Sequence, residues 1–283
     1  MLNLLKFGEP NAKLKKMTKK LGVKLVTFTL PAGWTCPGAK DCLSRAARVT
    51  GKVTDGAQTE FRCFMSSAEA RSPSLRKNVW HNLGLLKDAL VDGVDVCADL
   101  ICASLPSKFD VARVHVGGDY FNKEYLQAWI EVAKRNPDKV FYSYSKSLHL
   151  FKQFALPENL VLTASRGGKF DDLIDIHGWK EALVVYSEEE AQQRGLEIDH
   201  DDSHAAYGKN DFALLIHGTQ PKGSAASIAL QKLKKASKLE KQSWNMIETL
   251  LIITGIIALN VVIINIIQGW DINSWCVHNK IVG

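Results

Sequence analysis

The sequence lacks the short motifs that mark the commonest nucleotide-hydrolysing and bond-hydrolysing enzymes. It contains no GxxxxGKS or GxxxxGKT phosphate loop, no GxSxG nucleophile elbow and no HExxH zinc-binding pair. These absences leave NTPase and nucleophilic-hydrolase functions without support. The chain also has no low-complexity segment and no internal repeat. Its 46% hydrophobic and 23% charged residues are the balance of a globular protein rather than a disordered one.

The first residues do not have the pattern expected of an export signal. The apolar run within Met1–Phe7 is too short for a secretory signal peptide, and no cleavage-like site follows it. We therefore expect the six cysteines to lie in a reducing compartment. In that setting clustered cysteines favour metal binding or catalysis over disulfides.

Positive charge is scarce outside two short segments. Met1–Lys20 holds six lysines and one glutamate, and Gln231–Lys241 holds five lysines and one glutamate, whereas the whole chain carries a net charge of only +6. The remaining residues are therefore close to neutral, so nucleic-acid binding is not indicated by the core. We expect the N-terminal basic segment to be solvated.

Short β-branched and aromatic runs alternate with helical patterns along the chain. The predicted strands are 23–30, 111–116, 140–145, 160–164, 182–186 and 212–216, and the clearest predicted helices are 74–103, 123–135 and 224–238. This alternation favours a parallel α/β architecture, either an open doubly wound sheet or an incomplete (β/α)6 barrel. Polar clusters follow the strands, and both folds gather such residues at the carboxyl edge of the sheet.

Three cysteines form the first candidate site. Cys36 and Cys42 lie in a Pro/Gly loop after the first predicted strand, and Cys63 follows after a Gly-rich excursion. Three thiolates suit an iron–sulfur cluster with one iron left open, and with a fourth ligand such as His81 they suit a closed zinc site. Because the spacing matches no standard pattern, three unligated cysteines remain an alternative. Two further cysteines, Cys97 and Cys102, fall in a predicted helix and are expected to pack in the core.

A Gly-Gly-acid triplet follows the second predicted strand. Gly117 and Gly118 allow the backbone to approach a ligand closely, and the Asp119 carboxylate accepts hydrogen bonds from an ammonium or hydroxyl group. Such a triplet is often only a turn. The triplet is informative because of the order of features along the chain: the cysteines follow the first predicted strand, and the Gly-Gly-acid triplet follows the second.

That order resembles the radical-SAM enzymes, in which a cluster-binding three-cysteine loop follows the first strand of a partial (β/α)6 barrel. In those enzymes a Gly-Gly-Glu motif follows the second strand. More closely, the chain resembles the phage gene product 88 family over about residues 22–240. The stretches that carry this resemblance are LPAGWTCPGAKDC (30–42), FRCF (61–64), RVHVGGDYFNKEYLQAWIEVAKRNP (113–137), FYSYSKS (141–147) and NLVLTASRGG (159–168).

The resemblance implies a site and its cofactors. Cys36, Cys42 and Cys63 would bind a [4Fe–4S] cluster, and Gly117–Asp119 would receive the amino group of S-adenosylmethionine. Two departures bear on this: the cysteine spacing is Cx5C with a long insertion rather than CxxxCxxC, and Asp119 stands where glutamate is usual. The expected function is a radical-SAM-like enzyme acting on an unknown substrate. The alternative is a non-catalytic, zinc-stabilised module that binds a phage or host partner.

Residues after the third and fourth predicted strands complete the candidate site. In a barrel, Lys146 and Arg166 would face the mouth as catalytic residues, and Ser165 would add to the cofactor site; ordinary loop roles are the alternative. Arg166 beside two glycines suits a bidentate clamp on a carboxylate or phosphate. His217–Gln220 could reach the same mouth, although a structural role for His217 is the expected one. The acidic stretch 197–204 is expected to be a solvated loop rather than a cation site.

No charged residue occurs between Thr249 and Trp270. The 19 apolar residues 249–267 would span roughly 28 Å as a helix. With Trp244 and Trp270 as interface residues, we expect a transmembrane helix at about 247–268. The preceding lysines would keep the body in the cytoplasm, anchored to the host inner membrane. A buried helix or two buried strands are the alternatives, and Asn260 and Asn265 indicate self-association.

The sequence therefore predicts three parts: a basic N-terminal segment (1–21), a gene product 88-like α/β domain (22–242) and a hydrophobic tail (243–283). The fold class is α/β, an incomplete, radical-SAM-like (β/α)6 barrel followed by a C-terminal hydrophobic helix.

Overall fold

The structure, a computed structural model, describes residues 3–267. The helices in chain order are α1 (Ala12–Leu21), α2 (Phe64–Arg71), α3 (Pro73–Val91), α4 (Val94–Ser104), α5 (Lys123–Arg135), α6 (Leu148–Phe151), α7 (Asp172–His177), α8 (Glu188–Gln193), α9 (Ser203–Ala206) and α10 (Ala225–Ile267). The strands are β1 (Leu25–Thr27), β2 (Ser44–Ala46), β3 (Val53–Asp55), β4 (Val111–Arg113), β5 (Val140–Ser145), β6 (Leu160–Ser165), β7 (Glu181–Val185), β8 (Glu197–Ile198) and β9 (Phe212–Leu215).

The main sheet is parallel throughout and curls into a half barrel. Its strand order is β1-β4-β5-β6-β7-β9-β8, so the six strands predicted from the sequence lie side by side in chain order. A doubly wound sheet would reverse its order at a switch point, and no reversal occurs among those six. The register also shifts along the sheet, because the end of β6 pairs with the start of β7 (Ser165 with Ala182). The parallel α/β prediction is confirmed, and of the two architectures left open the barrel-like one is present.

The convex face of the sheet carries the larger hydrophobic core. Helices α3, α4 and α5 pack there, and their buried side chains meet Phe28, just after β1, and Phe141 of β5. Trp129 of α5 packs edge-on against Phe28, with ring centroids 5.6 Å apart. Cys97 is fully buried in this core and Cys102 packs against it, as predicted.

The concave face holds a second core. Tyr142, the neighbour of Phe141 along β5, points to this side because successive strand residues face opposite ways. It packs with Phe212 of β9 and with Leu14 and Met17 of α1. The basic N-terminal segment is therefore not simply solvated, since α1 buries two side chains completely and its Lys13 pairs with Asp202 at 2.7 Å.

Local sequence signals predict both ends of one helix but miss a break in another. Helix α5 begins at Lys123 because the Asn122 side chain accepts a hydrogen bond from the Tyr125 N–H. It ends at Arg135, and both ends match the prediction. The predicted helix 74–103 is instead two helices, α3 and α4, separated at Gly93, whose φ of 122° is unsuited to a helix.

An insertion between β1 and α3 was not predicted as regular structure. It contains the antiparallel hairpin β2–β3, with Arg45 opposite Thr54, and the short helix α2. The three cysteines of the candidate site flank these elements. The insertion therefore builds one wall of the site.

The chain divides into two units at Leu230. Over the described residues the second unit is the remainder of α10, so residues 249–267 are helical rather than two strands. Within residues 3–267, no helix has the length and apolarity that a membrane crossing requires, and the predicted transmembrane helix is unsupported. Trp270 and the rest of 268–283 lie outside the described residues, as does the Asn265 side chain.

Candidate functional site at the carboxyl edge

The loop that carries Cys36 and Cys42 is docked on the loops that follow β5 and β6. Ala39 forms an antiparallel bridge with Gly168, and the Lys169 N–H donates to the Gly38 carbonyl at 2.9 Å. Gly38 is tightly enclosed, because a Cβ atom there would lie 1.8 Å from the Lys146 carbonyl oxygen. The close approach of these loops therefore requires glycine at this position.

The three predicted cysteines come together at this edge. Cys36, Cys42 and Cys63 are half-buried free thiols, and negative charge on Asp119 or on either of the other two sulfurs would oppose ionisation of Cys36. Burial raises the pKa of Cys63 to about 12 and that of Cys36 well above its usual range. Burial also raises the pKa of Cys42, although the nearby Lys146 ammonium opposes the shift. Because all three pKa values lie above that of an ordinary thiol, the three side chains stay protonated at neutral pH.

Cys63 stands at the start of α2 and is held from two sides. Its backbone N–H donates to Ser44 Oγ at 3.2 Å. The Gln220 side chain forms two hydrogen bonds with the backbone of Arg62, the residue before Cys63. Its Oε1 accepts from the Arg62 N–H at 2.8 Å, and its Nε2 donates to the Arg62 carbonyl at 3.1 Å. The His217 ring lies 4.7 Å from the Phe64 ring. The predicted 217–220 cluster thus reaches the site by positioning the Cys63 segment.

The two glycines after β4 make room for the protein's own side chains. A Cβ atom on Gly117 would lie 2.1 Å from Met65 of α2. Gly118 has φ of 80°, and its Cβ would lie 2.6 Å from Leu30 and from the Thr35 hydroxyl. The glycines therefore let the end of β4 pack directly under the cysteine loop.

Asp119 organises the turn after β5. Its Oδ1 accepts from the Tyr120 N–H and the Ser145 hydroxyl, both at 2.7 Å. Its Oδ2 accepts from the backbone N–H groups of Lys146 at 2.9 Å and Ser147 at 3.1 Å. Asp119 is buried, and burial raises the pKa of its carboxyl group while these donors oppose the shift. Asp119 is a structural anchor between strands as well as a neighbour of the thiols.

Lys146 and Ser165 are in direct contact. The Lys146 Nζ donates to the Ser165 carbonyl at 2.9 Å, to the Ser165 hydroxyl at 3.0 Å and to the Arg166 carbonyl. This network fixes a buried positive charge beside Cys42. Of the two predicted catalytic residues, Lys146 is therefore the one placed near the thiols.

Arg166 is engaged elsewhere. Its guanidinium donates to Glu181 and, at 3.0 Å, to Asp175. With Trp179 and Lys180 it lines a pocket of about 440 Å³. Two carboxylates already neutralise this side chain, so it is not free to clamp an anion as the sequence predicts.

Two buried polar residues, one in α2 and one just after β4, have no sequence signal. Glu69 of α2 is fully buried; its Oε1 accepts from the Ala32 N–H at 2.8 Å and its Oε2 has no partner. His115 has φ of 70°, rare for a non-glycine residue. Its Nε2 lies 2.9 Å from the Tyr125 hydroxyl, and burial lowers its pKa to about 3. Both depend on contacts that spacing along the chain does not reveal.

The donor set suits some metals better than others. Among residues 3–267, no group of three or more His, Cys, Asp or Glu side chains is arranged to hold a metal ion. His81, the suggested fourth zinc ligand, lies 3.0 Å from the Leu4 carbonyl through its Nε2. A single zinc draws all four ligands to bonds of about 2.0–2.3 Å from one point. Cys36, Cys42 and Cys63 supply thiol donors, but the described residues form no preformed zinc site.

Fold and site together define a class: a sequentially wound parallel half barrel with a thiol-lined carboxyl edge. The sequence model of the family described as "Gene product 88" matches residues 3–238. The chain belongs to the gene product 88 family. It is 27% identical over 163 residues, 53% of its length, to the "Gene 88 protein" of Mycobacterium phage L5, and the match covers 60% of that protein. No solved structure matches the chain.

Proposed function

We propose that the carboxyl-edge site binds an iron–sulfur cluster and S-adenosylmethionine, and that the protein is a radical-SAM-like enzyme. One observation carries the proposal: the loop with Cys36 and Cys42 is docked on the loops after β5 and β6, at the carboxyl edge of a half barrel wound in chain order. Parallel barrels place their chemistry at this edge.

The residues suit this cofactor in number and chemistry. Cys36, Cys42 and Cys63 would be the ligands, since thiolates are the usual protein ligands of iron–sulfur clusters. When bound, the cluster and S-adenosylmethionine supply one-electron chemistry that begins a radical reaction.

The protein's own residues would hold the ligands and their charge. All three thiols have raised pKa values, so binding must release their protons, and loading should weaken as the pH falls. The Lys146 ammonium, fixed by Ser165, would offset negative charge near Cys42. Lys146 is thus proposed as a positioning residue.

The proposed S-adenosylmethionine end of the site is the segment Gly117–Asp119. Since the donors of the β5 turn already occupy both Asp119 oxygens, its contribution would be to hold the Lys146 turn in place. An ammonium group would then reach this segment only as an additional donor to Asp119.

Anaerobic purification and reconstitution with iron and sulfide test the proposal. We expect a brown protein with about four irons per chain, as a cubane cluster requires. Equilibrium dialysis should then show that the reconstituted protein retains S-adenosylmethionine. Cys36→Ser, Cys42→Ser and Cys63→Ser should each lose most of the iron.

Cys102→Ser is the matched control, because Cys102 is also a half-buried free thiol but packs in α4 against the convex core. Its iron content should equal that of the wild type. A colourless protein with about one zinc per chain would refute the redox function and favour the zinc-stabilised partner-binding module. Equal iron in all four variants would refute the assigned ligands.

A further inference from the structure

Two tryptophans and two arginines lie in contact next to the cysteines: Trp34 just before Cys36, Arg45 and Arg48 in the β2–β3 hairpin, and Trp80 in α3. The rings of Trp34 and Trp80 meet edge to face with centroids 5.7 Å apart. The guanidinium carbon of Arg45 lies 5.2 Å from the Trp34 ring centroid, and that of Arg48 lies 5.1 Å from the Trp80 ring centroid. We call these four residues the Trp–Arg surface.

Trp34 is exposed but held in place. Its side chain is 47% exposed, unusually high for a tryptophan. The indole Nε1 nevertheless donates to the Ala46 carbonyl at 2.9 Å, and Arg45 Nε donates to the Gly33 carbonyl at 3.0 Å. An exposed aromatic ring with a fixed orientation is preorganised for binding, since little side-chain freedom is lost when a partner arrives.

The backbone under the second arginine is fixed as well. The buried guanidinium of Arg76 in α3 donates to the carbonyls of Arg48 at 3.0 Å and of Val49 at 3.3 Å. Val49 itself is 85% exposed. The hairpin tip is thus fastened to α3 while it presents an apolar side chain to solvent.

The Trp–Arg surface carries uncompensated positive charge. Arg45 and Arg48 are exposed, and across residues 3–267 neither pairs with a carboxylate. The contrast with Arg62 and Arg166 is clear, since both of those arginines pair with acids. A surface with an exposed Trp34 ring and two guanidinium groups that no carboxylate neutralises suits a partner that offers both planar faces and negative charge.

We propose that the Trp–Arg surface binds single-stranded nucleic acid. Exposed bases stack on tryptophan rings and on guanidinium planes, while the phosphates pair with the arginines. An acidic peptide would satisfy the arginines but would leave the tryptophans without planar partners, so the rings favour nucleic acid. A duplex would fit less well because its bases are stacked internally.

The Trp–Arg surface lies next to the thiol site. Trp34 lies two residues before Cys36, and the Gly33 N–H lies 3.3 Å from the Cys36 Sγ. A strand bound along the Trp–Arg surface would therefore run beside the thiol site. The binding itself does not require a loaded site, so it stands or falls independently of the proposed function.

Fluorescence anisotropy of the full chain with a labelled oligo(dT) of about 15 nucleotides tests the proposal. At low salt we expect saturable binding that is weaker for a duplex and absent for poly-glutamate. Trp34→Ala should weaken binding about ten-fold or more, because stacking on one aromatic ring contributes that much. Trp34→Phe, which keeps a ring, should weaken it less.

Charge variants supply a second readout. Arg45→Ala with Arg48→Ala should lower the slope of log affinity against log salt by about 0.7 for each phosphate that the protein no longer neutralises. Trp244→Ala and Arg194→Ala are matched controls, since both residues are exposed and lie outside the surface. Both should bind like the wild type.

Three results would overturn the proposal. One is oligo(dT) binding equal in wild type and Trp34→Ala, which would assign it to the lysine-rich segments. Another is no binding at low salt by wild-type protein with a native circular-dichroism spectrum. The third is preferential binding of poly-glutamate, which would identify an acidic polypeptide as the partner. If Trp34→Ala fails to fold, Trp34→Phe and the arginine variants still decide the question.

Discussion

Glu69 combines complete burial with half-satisfied hydrogen bonding. One carboxyl oxygen holds the Ala32 N–H, the other has no partner, and burial raises the pKa to about 7 from 4.5. The folded protein therefore binds a proton here more tightly than the unfolded chain does. Between these two pKa values the folded state binds more protons than the unfolded state. The contribution of Glu69 to the free energy of unfolding therefore falls as the pH rises from the lower value to the higher one.

Glu69→Gln should remove this pH dependence. Between pH 5 and pH 8 the wild type should lose up to about 3 kcal/mol of unfolding free energy through Glu69, an upper bound from the raised pKa. The glutamine cannot ionise, so its pH curve should be flatter. Urea unfolding at several pH values measures the difference, with the exposed Glu188→Gln as control. Parallel curves for Glu69→Gln and wild type would show that Glu69 does not titrate in this range.

The docking of the cysteine loop against the Lys146 turn depends on one glycine. A Cβ at Gly38 would meet the Lys146 carbonyl at 1.8 Å and the Ser147 nitrogen at 2.9 Å. That turn cannot easily move away, because Asp119 holds both of its N–H groups. The loop and the turn therefore form one rigid contact.

Gly38→Ala should displace the loop and cost about 1–3 kcal/mol of stability, the usual range for overpacking. The Cys36 and Cys42 thiols should then react faster with a thiol reagent. Gly84→Ala is the control: Gly84 lies in α3 with open space around it, so alanine should stabilise the helix by roughly 0.5–1 kcal/mol. Unchanged thiol reactivity in Gly38→Ala would show that the loop does not need this contact.

Local sequence signals predict some individual helices and strands and miss others. Strand β5 and helix α5 match the prediction because a strong periodic pattern and the Asn122 cap define them. The hairpin β2–β3 does not, because its strands are short and polar and are held by long-range contacts, such as those from Arg76. The position of the site follows from the carboxyl-edge rule, but the anchoring role of Asp119 depends on which donors lie across that edge.

At the scale of the whole molecule, the local sequence pattern does not specify the order of the strands in the sheet. The alternation of strands and helices predicts a parallel sheet, yet a doubly wound sheet and a half barrel share that pattern. What separates them is which strands become neighbours, a property of tertiary packing. The chain-order winding in turn brings the loops after β1, β4, β5, β6 and β9 to one edge, which is why residues far apart in sequence meet at the thiols.

The C-terminal helix α10 exposes apolar side chains that no other described residue covers. Along α10 the side chains of Leu251, Ile252, Ile256, Ile257 and Leu259 are all more than half exposed. An apolar surface of this extent is normally covered by a partner. Asn260, also exposed among them, is the kind of polar residue that fixes pairing between apolar helices.

The full chain should therefore self-associate in a concentration-dependent way, and a chain ending at Gln242 should be monomeric. The shorter chain should still fold, since both cores of the half barrel lie before Leu230. Sedimentation velocity over a concentration series compares the two chains, and circular dichroism confirms that the shorter one is folded. Asn260→Leu should broaden the distribution of oligomers if the asparagine selects one arrangement. A full chain that stays monomeric in detergent-free buffer would contradict this role for α10, because its apolar side chains would then tolerate water without a partner.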